Sequence, residues 1–121
     1  MKKLSWMFVV ILLLTACGLG TKEDYVTVDL DKVQQLQDDG AIILDVREVE
    51  EFVEGHIIGA KNLPLSELKK DNRADLDKNE TYIVICRSGS RSIEASNILF
   101  EDGYDVVNVS EGMSAWTGKV E

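Results

Sequence analysis

Two continuous apolar runs, residues 41–44 and 82–85, dominate the pattern of hydrophobic and polar positions along the chain. Apolar residues that do not alternate with polar ones predict strands that are buried on both faces of a sheet. We expect the second of these strands to include Thr81 as well, so that it spans residues 81–85. Shorter stretches at residues 25–28, 60–63 and 104–109 predict three further strands.

The segments between these strands carry helical signals. Asp29 is predicted to cap a helix that continues to Leu36 and ends before Gly40. Further helices are predicted at residues 48–54, from Pro64 onward and at 90–101, and a last helical turn at 113–116. Because strands and helices alternate, the sequence predicts an α/β fold with a mainly parallel, five-stranded sheet and helices on both faces.

A cysteine lies on the loop between the strand at residues 81–85 and the helix that follows it. The loop reads Cys86-Arg87-Ser88-Gly89-Ser90-Arg91. The free N–H groups at the start of a helix favour negative charge, and the two arginines add to this effect. Cys86 is therefore predicted to be a thiolate and a nucleophile. Asp45 follows the other buried strand, so we expect both residues at the carboxyl edge of the sheet, where ligands of such sheets bind.

Two other interpretations of this loop are open. A single cysteine at the end of a buried strand often serves only as a small apolar side chain of the core. A strand, a loop with glycine and a helix can also bind a phosphate group without any chemistry. The first does not explain Gly89 and the two arginines, and the second does not need Cys86.

Composition limits the classes of function. The 121 residues include 45% hydrophobic and 29% charged residues, which is ordinary for one soluble globular domain. The net charge of −9 disfavours nucleic acids and anionic lipid surfaces as partners. The positive loop is a local exception, which fits a small anionic ligand.

Short motifs along nearly the whole chain resemble those of one family. They are Asp45-Val46-Arg47-Glu48, Phe52, Gly55-His56-Ile57, Gly59-Ala60, Asn62, Cys86-x-x-Gly89-x-Arg91-Ser92, Glu111-Gly112 and Ala115-Trp116. In this order they resemble the rhodanese family. Many relatives have a second glycine after the Glu-Gly pair, where this chain has Met113.

The resemblance implies a single rhodanese domain at residues 25–121 that acts as a sulfurtransferase. We further expect a monomer without a cofactor or metal. Sulfane sulfur would pass from thiosulfate or a similar small anionic donor to Cys86 as a persulfide, and then to a thiol or cyanide. The residues expected to bind the substrate are Arg87, Ser88, Gly89, Ser90 and Arg91.

Other classes of protein have related loops. Cys-based phosphatases place five residues between the cysteine and the arginine, whereas four separate Cys86 from Arg91. The shorter loop presents fewer N–H donors, which favours a terminal sulfur or sulfonate over a phosphate ester. Phosphatase or arsenate reductase activity is therefore the less favoured enzymatic alternative. A low-activity binding or sulfur-relay module is the other, although such modules commonly lack the cysteine.

The N-terminus has the features of a targeting segment. Lys2 and Lys3 precede an uncharged apolar stretch at residues 4–14, and Leu14-Thr15-Ala16-Cys17 follows. This sequence resembles the lipobox of bacterial lipoproteins. The resemblance implies a signal peptide at residues 1–16, a lipid on Cys17 and a tether to residue 24. The protein would then be extracytoplasmic and anchored to a bacterial membrane.

The remaining polar and aromatic residues are expected to be structural. His56, the single histidine, is predicted to form structural hydrogen bonds and cannot build a common zinc site. Asp45 and Arg47 are predicted to form an ion pair that holds the loops. Phe52 and Trp116 are expected to pack in the core or at its rim. The glutamates at positions 48, 50, 51 and 54 are predicted to form a solvated helix face.

Overall fold

The computed structural model describes residues 25–121, so the predicted signal peptide, Cys17 and the tether lie outside the described residues. The strands are β1 Val26–Val28, β2 Ile42–Asp45, β3 Lys61–Asn62, β4 Thr81–Cys86 and β5 Asp105–Gly112. The α-helices are α1 Val33–Asp38, α2 Val49–Glu54, α3 Leu65–Lys69 and α4 Ser90–Glu101. Single 3₁₀ turns span Leu30–Lys32 and Met113–Ala115.

The five strands form one sheet in the order β1-β5-β4-β2-β3, and every pairing is parallel. β4 lies in the middle, between β5 and β2. The predicted α/β class and five-stranded sheet are confirmed, and the sheet is wholly parallel. Asp45 and Cys86 end the neighbouring strands β2 and β4 at the same edge, as the sequence predicts.

Two hydrophobic clusters cover the two faces of the sheet. One face packs Leu44, Val84 and Cys86 against Ala95 and Leu99 of α4. The other packs Ile43, Ile83 and Ile85 together with Val33 of α1. Successive residues of a strand point to opposite faces, so an apolar run without alternation fills both clusters. This explains why the two runs mark the central strands.

The structure corrects the start of the first helical segment. Asp29 makes no side-chain capping hydrogen bond, and a 3₁₀ turn at Leu30–Lys32 precedes α1. The Asp29 carboxylate instead accepts a hydrogen bond from the Ser110 hydroxyl, at 3.3 Å between Oδ1 and Oγ. Asp29 therefore lies at a turn of the chain, as its residue type indicates, but its side chain binds β5 instead of capping a helix.

The last strand is longer than predicted and ends at Gly112 instead of residue 109. The register of β4 and β5 shifts between Val84 and Cys86, after which Cys86 pairs with Gly112. This irregularity extends pairing to the end of β4, so the carboxyl end of β5 lies directly beside the cysteine loop.

No helix within residues 25–121 combines the length and the apolar character needed to cross a bilayer.

Candidate active site

Cys86 lies at the carboxyl end of the central strand, beneath the start of α4. It is fully buried, at 0% exposure, and its thiol is free. The backbone N–H of Gly89 donates a hydrogen bond to Sγ at 3.1 Å. The sulfur is thus directed into the loop that follows it, as expected from the strand–loop–helix pattern.

The surroundings of the thiol favour its ionised form. Burial is the largest single influence and raises the pKa of Cys86, because it disfavours a charged sulfur. The nearby Ser92 hydroxyl and the backbone N–H groups of Ser92, Gly89 and Ser88 together lower the pKa of Cys86 below its usual value. The Ser92 hydroxyl also donates to the Gly89 carbonyl oxygen at 3.2 Å. Since the net direction is downward, Cys86 has the electrostatic setting of a nucleophilic cysteine.

Two glycines allow the loop to close on the end of β5. Gly89 has φ +104°, and an added Cβ would lie 2.4 Å from the carbonyl oxygen of Ser110. At Gly112, an added Cβ would lie 2.3 Å from the carbonyl carbon and oxygen of Arg87 and 2.5 Å from the Cys86 oxygen. These distances are far shorter than van der Waals contact. The backbones of loop and strand therefore touch in a way that no side chain would permit.

The 3₁₀ turn at Met113–Ala115 ties the loop down from the other end. Both the backbone N–H and the hydroxyl of Ser114 donate to the carbonyl oxygen of Arg87, at 3.0 and 2.9 Å. Met113, at the position where many relatives have glycine, begins this turn and packs at the edge of the core. The structure thus accommodates a methionine beside the loop at this position.

The two arginines of the loop are held very differently. Arg91 forms a bidentate ion pair with Glu51 of α2, at 2.7 Å (Nη1–Oε1) and 3.0 Å (Nη2–Oε2). The Arg87 side chain is 62% exposed, and its Nη1 lies 3.8 Å from Glu51 Oε2. Arg91 is therefore fixed by a carboxylate, whereas Arg87 extends into solvent.

The ion pair corrects the prediction that Glu48 and Glu51 belong to a solvated helix face. The hydrogen bond from Arg91 is the main influence that lowers the pKa of Glu51 to about 2. Glu51 also accepts from the Glu48 backbone N–H at 3.0 Å, in a capping box at the start of α2. Glu48 in turn accepts from the Ser66 hydroxyl. These two glutamates face the body of the domain because capping turns them inward.

Asp45 and Arg47 form the predicted ion pair below the site. Arg47 Nη2 donates to Asp45 Oδ2 at 2.7 Å and also to the carbonyl oxygen of Gly55 at 2.7 Å. The Asn62 side chain donates to the carbonyl oxygens of Asp45 and Arg47, each at 2.9 Å. Arg47 is 5% exposed. With Nε and Nη2 donating to Asp45 and to the Gly55 carbonyl, it holds the loops together.

His56 has the structural contacts that the sequence predicts. Its Nδ1 donates to the Phe52 carbonyl oxygen at 2.9 Å, and its ring stacks on Phe52 with centroids 3.7 Å apart. Trp116 packs at the edge of one hydrophobic cluster. Within residues 25–121, no group of three or more histidine, cysteine or acidic side chains is arranged to hold a metal ion.

Sequence reasoning missed several residues that shape the site. Glu51 was hidden within a run of acidic residues, and Ser114 carries no distinctive signal. Ser92 and Gly112 were noted only as parts of motifs, without a role. The capping spacing from Glu48 to Glu51 was a signal that could have separated Glu51 from its solvated neighbours.

Comparison with known proteins gives consistent matches. The family model described as "Rhodanese-like domain" matches residues 29–119. YtwF of Bacillus subtilis, provisionally named a sulfurtransferase, is 39% identical over 84 residues, which are 69% of this chain and 81% of YtwF. YrkF of the same organism, provisionally named a sulfur carrier protein, is 42% identical over 85 residues. That match covers 69% of this chain but 45% of YrkF, less than half of its length.

Solved structures agree with the sequence matches. The crystal structure of a rhodanese-like domain protein from Staphylococcus aureus is 33% identical to this chain and has a TM-score of 0.71. The match covers 79% of this chain and 96% of the Staphylococcus protein.

Proposed function

Because the chain belongs to the family of rhodanese-like domains, we propose that it is a sulfurtransferase that works through a persulfide on Cys86. The similarity to proteins named for sulfur transfer and sulfur carriage supports this class of chemistry. The observation that carries the proposal is the buried sulfur of Cys86 with the Gly89 N–H directed at it at 3.1 Å. A thiolate held among N–H groups can attack sulfane sulfur and can also hold the persulfide that forms.

The first step uses thiosulfate or a similar small anionic donor. The Cys86 thiolate attacks the terminal sulfur of thiosulfate, a new S–S bond forms, and sulfite leaves with the electron pair of the bond that breaks. Cys86 then carries a persulfide anion, so the total charge is the same before and after the step. N–H groups of Ser88, Gly89 and Ser90 and the guanidinium of Arg87 or Arg91 would stabilise the negative charge on the leaving sulfite.

The second step returns the enzyme to its starting state. Cyanide or an acceptor thiolate attacks the outer sulfur of the persulfide, and the S–S bond breaks. The Cys86 thiolate leaves, and thiocyanate or a new persulfide is released. Neither step involves a net oxidation or reduction, so neither needs a cofactor.

The experiment is a thiosulfate:cyanide transfer assay on the wild type and on Cys86→Ser. We expect thiocyanate from the wild type and none above background from Cys86→Ser, because a serine hydroxyl is not ionised and cannot form a persulfide. Ser96→Ala is the matched control, since Ser96 is also fully buried but lies on α4 outside the loop. Thiocyanate formation by Cys86→Ser at the wild-type rate would rule out the proposed role of Cys86.

A membrane anchor forms a separate part of the proposal, supported by the lipobox-like residues that end at Cys17. The wild type is expected to partition into detergent and to carry a fatty-acylated N-terminus on Cys17, on the outer side of a bacterial membrane. Cys17→Ala is expected to stay as an unprocessed precursor. Wild-type protein cut elsewhere and free of lipid would indicate an ordinary secretory signal.

A further inference from the structure

An open groove lies beside the cysteine loop. Its main part is a cavity of about 880 Å³ between the 3₁₀ turn at Leu30–Lys32 and the segment that contains Glu111 and Trp116. A second cavity of about 530 Å³ follows it and shares Gln34 as a lining residue. The apolar residues Ile57 and Ile58 also line the second cavity. We call the larger cavity the acidic groove, for Asp29, Asp31 and Glu111 at its walls.

The acidic groove and the cysteine loop share the carboxyl end of β5. Ser110 lines the groove, and its carbonyl oxygen touches the backbone of Gly89 so closely that a Cβ there would lie 2.4 Å away. Ala115 lines the groove as well, in the same 3₁₀ turn whose Ser114 binds the Arg87 carbonyl. A molecule seated in the groove therefore lies on the opposite side of one strand end from the loop of Cys86.

The walls of the groove are fixed in place. The Glu111 carboxylate accepts from the Leu30 backbone N–H at 3.2 Å, and Asp29 Oδ1 accepts from Ser110 Oγ at 3.3 Å. Trp116 donates from its indole N–H to the Lys119 carbonyl at 3.2 Å, which holds the ring that forms one wall. Within residues 25–121, the Asp31 carboxylate is exposed and forms neither a hydrogen bond nor an ion pair. Its charge is thus available to a bound partner.

The charges of the groove and the loop are opposite. Among the described residues that line the acidic groove there are three carboxylates and neither lysine nor arginine, whereas Lys119 lines the second cavity. The loop carries Arg87, which is 62% exposed. A small anion is therefore repelled from the groove and attracted to the loop. A cationic segment is attracted to the groove, where its apolar part can cover Trp116 and Leu30. Donor and acceptor would thus be directed to neighbouring but different surfaces.

We propose that the acidic groove binds a lysine- or arginine-bearing segment of a protein that accepts sulfur from Cys86, a proposal that rests on the function proposed above. In this proposal the segment continues from the groove around the carboxyl end of β5, so that its cysteine lies at the mouth of the loop. That cysteine's thiolate attacks the outer sulfur of the Cys86 persulfide, the S–S bond breaks, and the Cys86 thiolate leaves. The partner carries the persulfide away, with atoms, charge and electrons conserved.

The test compares two synthetic peptides as acceptors, with thiosulfate as donor. One has a single cysteine flanked on both sides by lysines, and the other has glutamates at the same positions. We expect the wild type to use the lysine peptide with a kcat/KM about fivefold or more above the glutamate peptide, as a few solvent-exposed charge pairs allow. The preference should decrease at high salt, because exposed charges are screened.

Asp31→Lys reverses one charge of the groove without touching the loop, and it should abolish the preference. Glu101→Lys makes the same change of charge at an exposed site at the end of α4, and it should retain the preference. Equal use of both peptides by the wild type, or equal effects of the two variants, would overturn the role of the groove.

Transfer to cyanide is measured alongside. Its absence in the wild type would refute the sulfurtransferase proposal itself, and with it the role of the groove, whereas normal cyanide transfer without peptide preference refutes the groove alone.

Discussion

Gly112→Ala should damage the cysteine loop although residue 112 lies on a strand and has no side chain in the site. The φ of Gly112 is −157°, an extended conformation that any residue adopts, so the substitution adds no backbone strain. The obstacle is space, because the new Cβ would lie 2.3 Å from the carbonyl carbon and oxygen of Arg87. Ordinary van der Waals contact begins at 3.4 Å. The loop must therefore move away by about 1 Å, since the neighbouring atoms belong to the backbone and cannot rotate away.

The size of the effect follows from that displacement. A reacting group displaced by ~1 Å costs roughly 100-fold in rate. The overpacked contact should also lower the free energy of unfolding by about 1–3 kcal/mol. Because the displaced residues follow Cys86 directly, the N–H groups that surround its sulfur should move with them, and the thiolate should be less well stabilised.

Sulfur transfer to cyanide, a thermal melt and the rate of alkylation by iodoacetamide would be measured for Gly112→Ala. Gly55→Ala is the matched control, since the nearest atom to an added Cβ there is Val120 Cγ2 at 3.9 Å. We expect the control to keep most of its activity. A folded Gly112→Ala protein with activity near that of the wild type would show that the close approach of β5 does not set the loop geometry.

Two other predictions concern hydrogen bonds at the site. Ser92→Ala should raise the pKa of Cys86, because the hydroxyl helps to stabilise the thiolate, and the midpoint of the pH profile of alkylation should move upward. Ser96→Ala, also fully buried on α4 but bonded to Asn108, should leave that midpoint unchanged. Glu51→Gln should cost about 1 kcal/mol of stability at neutral pH, allowing for partial exposure of its ion pair with Arg91. Since the pKa of Glu51 falls from 4.5 to about 2 on folding, this contribution is complete above pH 4.5 and is lost as the pH falls through 2. Melting curves of the wild type and Glu51→Gln should therefore approach each other as the pH falls toward 2, and a gap as large at pH 2 as at neutral pH would contradict the ion-pair explanation.

The central fold could be predicted from hydrophobic patterning alone. Strands buried on both faces leave long apolar runs, and the runs at residues 41–44 and 82–85 became β2 and β4. The ends of elements were less accessible, because they depend on contacts between distant segments. Asp29 has the residue type of a helix cap, yet its carboxylate binds Ser110. The extension of β5 to Gly112 likewise results from pairing with Cys86, which local sequence does not encode.

The site could be predicted in position but only partly in its interactions. The strand–loop–helix pattern placed the thiol under N–H groups because backbone geometry determines that arrangement. The partner of Arg91 could not be predicted, because Glu51 is distant in sequence and resembles its acidic neighbours. The different settings of Arg87 and Arg91 follow from that one ion pair. Arginines near a loop in the sequence thus predict a positive electrostatic potential there. Which of them remain unpaired and able to bind an anion is determined by tertiary contacts.

The most direct test of the proposed function is the mass of the intact, purified protein after incubation with thiosulfate and removal of excess reagent. The wild type should gain the mass of one sulfur atom, and a thiol reductant should remove it. Cys86→Ser, which retains Cys17, should gain nothing. A wild-type mass that does not change, or the same gain on Cys86→Ser, would contradict the claim that sulfur is carried as a persulfide on Cys86.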